Sequence, residues 1–453
     1  MLSLILDINN AVKNVVWGMP ALILIFGTGL YYSVSLKFFQ LRYARVWLKH
    51  TFGCFFNKKN TRETSGISSY KASATALAST IGTGNIVGVA TAIVAGGPGA
   101  VFWIWVSAFF GTMIKYSEIL LAVCFRQKDK NGKYFGGPMY YIEQGLGQGF
   151  KWLSVIFCVF AVFSILGTSN LNQSNSIAAA AGIFGVKPIF AGLAAALITS
   201  LVIVRGIKGI ANVSAMLVPF MACFYIAGAL YTILAGFNSL ANTFMLIFRR
   251  AFSLNAAGGG IAGYTMMNAL KTGFSRAVFS NEAGLGTASI VHAAADAGNP
   301  VKEGFWGIFE VFVDTMVVCS LTAIAIINSG LYASGLNGAA LCAAVFSKHL
   351  GGAGGLFLSL SIIMFALSTV LGMYYYGEQC LFYLFPGNKR VSEIYKIIYL
   401  LLIIVGSECS LTFVWSISDT LNGLLIIPNL IAVISLSDIV IYLTKRHLKN
   451  EKR

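Results

Sequence analysis

Long runs of apolar residues constrain this chain more than any other feature. A helix needs about 20 mostly apolar residues to cross the roughly 30 Å hydrocarbon core of a bilayer. Runs of that kind take up nearly all of the 453 residues. Only 11% of the residues are charged, less than half of the roughly one quarter that a water-soluble domain carries. A sizeable water-soluble domain is therefore excluded. The chain reads as one all-α integral membrane domain spanning residues 1–453. Its 48 glycines suit closely packed membrane helices and helix breaks.

Eleven spans are predicted: Val15–Leu36, Ala72–Gly96, Ala100–Phe125, Trp152–Ala181, Pro188–Val204, Gly209–Ala235, Gly258–Ala295, Gly304–Ile327, Gly355–Phe385, Val391–Leu411 and Val414–Leu443. The first is long and lacks a small-residue cleavage site after it, so it reads as a span and not as a signal peptide. The seventh is too long for one straight crossing at 1.5 Å per residue, so part of it must break or lie at the interface.

The net charge of +16 would suggest nucleic acid in a soluble protein. Here the distribution of charge gives a better account. Most of the 32 Lys and Arg residues fall in the loops after odd-numbered spans and in the C-terminal tail. The first loop alone holds Lys37, Arg42, Arg45, Lys49, Lys58, Lys59, Arg62 and Lys71. The other side holds Lys13, Lys187, Arg249, Arg250 and Lys348, while Lys115, Lys271 and Arg276 fall within spans. By the positive-inside rule the N-terminus is expected outside and the C-terminus in the cytoplasm. The partners implied are a lipid bilayer and no nucleic acid. Arg42, Arg45 and Lys49, with aromatics between them, read either as an interfacial amphipathic stretch or as an ordinary basic loop. Eight scattered cysteines without a CxxC pair read as packing residues.

Two spans carry polar, glycine-rich interruptions. In span two, Gly82, Gly84 and Gly88 flank Thr83 and Asn85. Glycine inside a helix costs about 1 kcal/mol relative to alanine. In span seven, Ser280, Asn281, Glu282, Gly284 and Gly286 occupy the centre, and a carboxylate at that depth is costly and usually functional. The interruptions lie five spans apart, so the two spans run in opposite directions. Broken helices in matching positions of inverted halves mark a transporter binding site. Unwound backbone offers N–H groups to a carboxylate and carbonyls to a hard cation such as Na⁺. The competing reading is that these glycines only let helices approach closely.

The residues also carry a resemblance. STIGTGNIVGVATAIVAGGPGAVFWIW (Ser79–Trp105), FGGPMYYIEQGLG (Phe135–Gly147) and FSNEAGLGTASIVHAAA (Phe279–Ala295) resemble the alanine or glycine:cation symporter family. VFVDTMVVC (Val311–Cys319) and STVLGMYYYGE (Ser368–Glu378) are similar to its later motifs. The resemblance runs over essentially the whole chain. It implies a leucine-transporter-type fold, a five-plus-five inverted repeat at 72–235 and 258–443, with an extra first helix and cytoplasmic loop in 1–71. It implies a secondary symporter in the cell membrane that imports alanine or glycine with Na⁺, or with H⁺, by alternating access. Serine or a D-amino acid is the neighbouring alternative. It also implies action as a monomer, with no cofactor beyond the co-transported ion.

Carried over residue by residue, the substrate site involves Gly82, Thr83, Gly84 and Asn85 in span two, and Phe279, Ser280, Asn281 and Gly284 in span seven. Span four adds Gln173. There the family's usual NMVQANS gives way to SNLNQSNS, with Leu171 and Asn172 in place of Met and Val; the extra Asn alters the pocket's polarity. The cation residues implied are Ser368 and Thr369 with the carbonyl of Ala78, and further Asp314 and Thr315. By depth, Asp314 and Thr369 lie near the midplane. Asp314 could instead brace loosened backbone. The hydroxyls of Ser368 and Thr369 could instead bond their own helix.

Other signals are weak. Gly258, Gly260 and Gly263 match GxGxxG, but no strand precedes them. Lys115 and Glu118, three apart, are expected to pair with each other. The four histidines, His50, His292, His349 and His447, read as packing or loop residues. Glu282 reads equally as a tie across the unwound segment or as a substrate contact. An enzyme using Glu282, Asp314 or Glu378 as acid–base groups lacks a nucleophile, base and metal set together. A passive facilitator would share the broken helices but could not concentrate substrate.

Overall fold

The computed structural model describes residues 9, 11–12, 16–56, 66–130, 132–252, 259–409 and 411–451. Val15, Lys13, Lys58, Lys59, Arg62 and Gly258, named above, lie outside the described residues. Each apolar run folds into a helix or a broken helix pair, because a helix satisfies its backbone hydrogen bonds within its own segment and needs no water. The only strands among the described residues are two-residue pieces, Gln127–Lys128 and Tyr134–Phe135, pairing between spans three and four.

Five helices are single crossings by length and composition: Ala100–Cys124, Gln148–Phe184, Gly206–Ala235, Pro300–Ser329 and Ala353–Leu384. Met19–Ser35 and Pro188–Ile203 are shorter apolar helices. Span ten is Lys389–Glu408, and span eleven begins with Leu411–Ser435. The sequence runs span eleven on to Leu443, but the chain turns by 57° at Leu436 and Ser437–Glu451 forms a separate helix. The lone apolar pattern gave no sign of this turn, because the second helix starts apolar and becomes basic only later. The loop between spans eight and nine holds an unforeseen helix, Gly338–Leu350, packed against Val87–Gly96 and Ala353–Leu384.

Two spans break where the glycines fall. Span two is Ser69–Thr80, a short turn at Thr83–Asn85, and Val87–Gly96, bent by 58°. Span seven is Gly259–Asn281, a loop, and Ser289–Ala293. Glu282 (φ 58°), Gly284 (φ 96°) and Gly286 (φ 76°) carry the chain through the left-handed region, which favours glycine and strains a residue with a β-carbon. Spans four and eight also loosen. Ile165–Leu171 and Phe312–Cys319 adopt wider turns bonded five residues apart, a geometry that recurs at functional sites.

Apolar surface faces outward as well as inward. Phe190, Leu193, Leu197 and Leu201 form an exposed stripe on span five, and Ile394, Ile397, Leu401 and Val405 another on span ten. Apolar area on that scale is stable against acyl chains and not against water. This is a multi-pass membrane protein.

Candidate functional site

The two breaks face each other. A β-carbon built on Gly84 would lie 3.0 Å from Cδ1 of Phe279, and one on Gly82 would lie 2.6 Å from Oγ1 of Thr369 and 3.3 Å from Nε2 of Gln173. Spans two, four, seven and nine therefore meet at two glycines, because no other residue lets side chains approach the backbone so closely. Between them lies a cavity of about 20 Å³, room for roughly one water-sized sphere. The lining must widen before any amino acid fits.

Of the residues singled out from sequence, Gly82, Gly84, Gln173, Phe279 and Thr369 line this cavity. Gln173 Oε1 accepts a long bond from the Thr83 N–H at 3.4 Å, and the Thr83 hydroxyl is buried without a partner among the described residues. Arg276 lies over the Phe279 ring at 5.7 Å, within cation–π range. Asn85, Ser280, Asn281 and Gly284 stand behind the cavity wall. Asn85 Oδ1 accepts from the Gly82 N–H at 2.9 Å, closing the short turn.

The cation candidates gather in two groups. In the first, Ser368 Oγ and Thr369 Oγ1 donate to the Ala78 carbonyl at 3.1 and 3.2 Å. Both also donate to Phe365 O of their own helix, at 2.8 and 3.0 Å, so the bland reading describes the same hydroxyls. In the second, Asp314 Oδ1 accepts from Asn85 Nδ2 at 2.7 Å, and Oδ2 from Ser280 and Thr315 hydroxyls at 2.8 and 2.7 Å. Asn281 Nδ2 donates to Thr315 Oγ1 at 3.1 Å. Asp314 thus ties both breaks to the wide turns of span eight.

The expected Lys115–Glu118 pair does not form. Lys115 Nζ donates to Asn281 O at 2.9 Å and pairs with Glu310 at 3.3 Å. Glu118 Oε1 accepts from Gly284 N at 3.0 Å and from Asn429 Nδ2 at 2.5 Å. The break itself separates them: the last carbonyl of the first helix, Asn281 O, claims the cation, and a backbone N–H freed in the loop, that of Gly284, claims the anion. His292 is not a bare packing residue either: its ring nitrogens each lie 2.7 Å from a carboxylate oxygen, of Glu303 and of Glu310.

The sequence reading missed Ser164, Ser169, Thr287, Met373 and Asn422, which also line the cavity, and it left Glu282 undecided. Ser164 Oγ donates to Asn422 Oδ1 at 2.6 Å, joining spans four and eleven. A buried Asn inside an apolar run was the available signal.

Two facing helix breaks, hydroxyls and a carbonyl set against one of them, and a closed cavity between define the class: a secondary transporter of the leucine-transporter fold. Solved structures agree on the fold. MhsT, crystallised with L-phenylalanine, matches with a TM-score of 0.57 at 15% identity over 84% of this chain and 99% of its own. The model of the sodium:alanine symporter family matches residues 2–453. The sodium/alanine symporter AgcS of Methanococcus maripaludis is 44% identical over 446 residues, 96% of each chain. An uncharacterized transporter of Haemophilus influenzae is 41% identical over 450 residues, 98% of this chain and 97% of its own. The chain belongs to the sodium:alanine symporter family, and its chemistry is cation-coupled amino-acid symport.

Proposed function

We propose that this protein imports a small neutral amino acid, alanine or glycine, coupled to Na⁺ by alternating access. The observation that carries this is the meeting of Ala78 O with the Ser368 and Thr369 hydroxyls beside Gly82. Two hydroxyl oxygens within 3.2 Å of one carbonyl oxygen can turn from hydrogen bonding to ligating a hard cation, with unwound backbone completing the shell. Asp314 and Thr315, bonded to Asn85, Ser280 and Asn281, form a second oxygen-rich position between the breaks.

The substrate occupies the cavity of Gly82, Gly84, Gln173 and Phe279, with Thr83, Asn85, Ser280, Asn281 and Gly284 shaping the backbone behind. The close approach of Phe279 to Gly84 favours a side chain no larger than a methyl or hydroxymethyl group. The Ser164–Asn422 pair on the wall suits a hydroxyl, which is why serine is the second reading. The two breaks belong to inverted repeats at 72–235 and 258–443. The monomer holds the full site in the cell membrane, with the N-terminus outside and the C-terminus in the cytoplasm.

The test is uptake of labelled alanine, glycine and serine into proteoliposomes. Accumulation against a gradient is expected for alanine or glycine, only under an inward Na⁺ gradient. Equal accumulation driven by a proton gradient without Na⁺ would overturn the choice of ion. Equilibration without accumulation would make the protein a facilitator.

A further inference from the structure

Around the break in span seven, Lys115, Glu118, Glu282, His292, Glu303, Glu310 and Asp314 are all at most 3% exposed. Buried charges persist only when matched by opposite charge or by several hydrogen bonds. Glu303, His292, Glu310 and Lys115 form one chain of contacts at 2.7, 2.7 and 3.3 Å. Glu118 is held by a backbone N–H and a side-chain amide. Asp314 receives three side-chain donors.

Glu282 differs from the other carboxylates in lining the cavity. Its Oε2 accepts from the Thr287 hydroxyl at 2.6 Å, and its Oε1 accepts from none of the described residues. Lys115 makes its ion pair with Glu310 and not with Glu282. Among the described residues Glu282 is also the one ionisable side chain on the cavity wall. Its backbone is held at φ 58°, a strain of a kind that clusters at functional sites. Lys115, paired with Glu310, acts on Glu282 only from beyond ion-pair distance, so this carboxylate, with one side-chain donor and no ion pair of its own, is placed to take a positive charge from the cavity.

We propose that Glu282 is the counter-ion of the substrate's α-ammonium group; this rests on reading the cavity as the amino-acid site. An ammonium supplies the N–H donor that Oε1 lacks, and such charge-assisted bonds are about twice as strong as neutral ones. The first half of span seven ends at Asn281, so its carbonyl end adds negative potential on the same side. The N–H end of Val87–Gly96, beyond the short turn at Thr83–Asn85, offers the opposite sign to the carboxylate. The zwitterion is then held by charge at both ends, and a carboxylate of the same shape without an ammonium is rejected.

The test is calorimetric binding to the purified protein at saturating Na⁺, with L-alanine, propionate and L-lactate, for the parent, Glu282→Gln and Glu282→Asp. The parent should bind L-alanine at least 100-fold more tightly than propionate or L-lactate. Glu282→Gln should weaken alanine at least tenfold without changing the Na⁺ concentration needed for half-maximal binding, and Glu282→Asp should fall between. Parent-like alanine affinity in Glu282→Gln overturns the proposal, as does a raised Na⁺ requirement with amine selectivity intact, which would make Glu282 an ion ligand. If Glu282→Gln does not fold, the parent decides alone: equal affinity for alanine and propionate sinks the assignment. A parent that binds none of alanine, glycine or serine instead sinks the reading of the cavity as their site.

Discussion

At Gly84 a single added β-carbon meets the Phe279 ring at 3.0 Å, closer than carbon atoms pack comfortably. Gly84→Val should therefore abolish alanine uptake while the protein still reaches the membrane, measured as uptake against surface abundance. Normal uptake would reduce the span-two break to helix packing. Thr369 poses a different question, because its hydroxyl already reaches both Ala78 O and Phe365 O. If it ligates Na⁺, Thr369→Ala removes one oxygen and should raise the Na⁺ concentration for half-maximal uptake by about tenfold, equivalent to ~1.4 kcal/mol. By linkage the apparent alanine affinity should recover at high Na⁺. Thr369→Ser keeps the oxygen and should resemble the parent. An unchanged Na⁺ dependence in Thr369→Ala would assign the hydroxyl to its own helix.

Helix breaks in a membrane need partners for the backbone groups they release, since unsatisfied groups cost several kcal/mol away from water. Span three supplies them. Lys115 takes the last carbonyl of the first half of span seven, and Glu118 takes the Gly284 N–H. Lys115→Met would leave Glu310 facing His292 alone and Asn281 O unpaired. Removing one partner of a buried pair typically costs roughly 3–5 kcal/mol, so the purified variant should unfold at a markedly lower temperature than the parent. An unchanged melting temperature would show that the break is held by other contacts. Asn429 of span eleven also reaches this break, donating to Glu118 and to Gly284 O and accepting from Tyr141. Elements far apart in sequence thus share one task.

For the whole molecule, orientation is the open geometric prediction. The basic residues of the first loop and the C-terminal helix motivate a cytoplasmic C-terminus. A cysteine at Lys449, on the helix Ser437–Glu451, should react with a membrane-impermeant reagent only from the cytoplasmic face. The exposed Cys54 and Cys223 should be replaced first. Labelling at that position in intact cells would reverse the topology. The closed cavity gives a second expectation at this scale. With room for about one water, an amino acid bound in this cavity would require the four spans that meet at Gly82 and Gly84 to separate. Disulfide cross-linking of span two to span seven near the cavity should block uptake reversibly by reductant, and uptake that survives a complete cross-link would show that these spans do not part.

The apolar runs by themselves determined that the chain is helical and membrane-embedded, because bilayer thickness sets a length that composition alone can meet. The glycines and polar residues of spans two and seven also located the breaks, since a helix interior tolerates such clusters only at a cost. Ala78, Ser368 and Thr369 could be named together only by resemblance, and the fold brings them into contact. Tertiary structure alone decided the rest. The i,i+3 spacing of Lys115 and Glu118 made them look like partners, yet the split ends of span seven offer each a better one. The role of His292 had no local signature, because its carboxylate partners lie on another helix. The turn at Leu436 and the helix Gly338–Leu350 were hidden for the same reason: apolar periodicity records what a segment must bury, and only the neighbours in space determine against what, and where the chain must bend to do it.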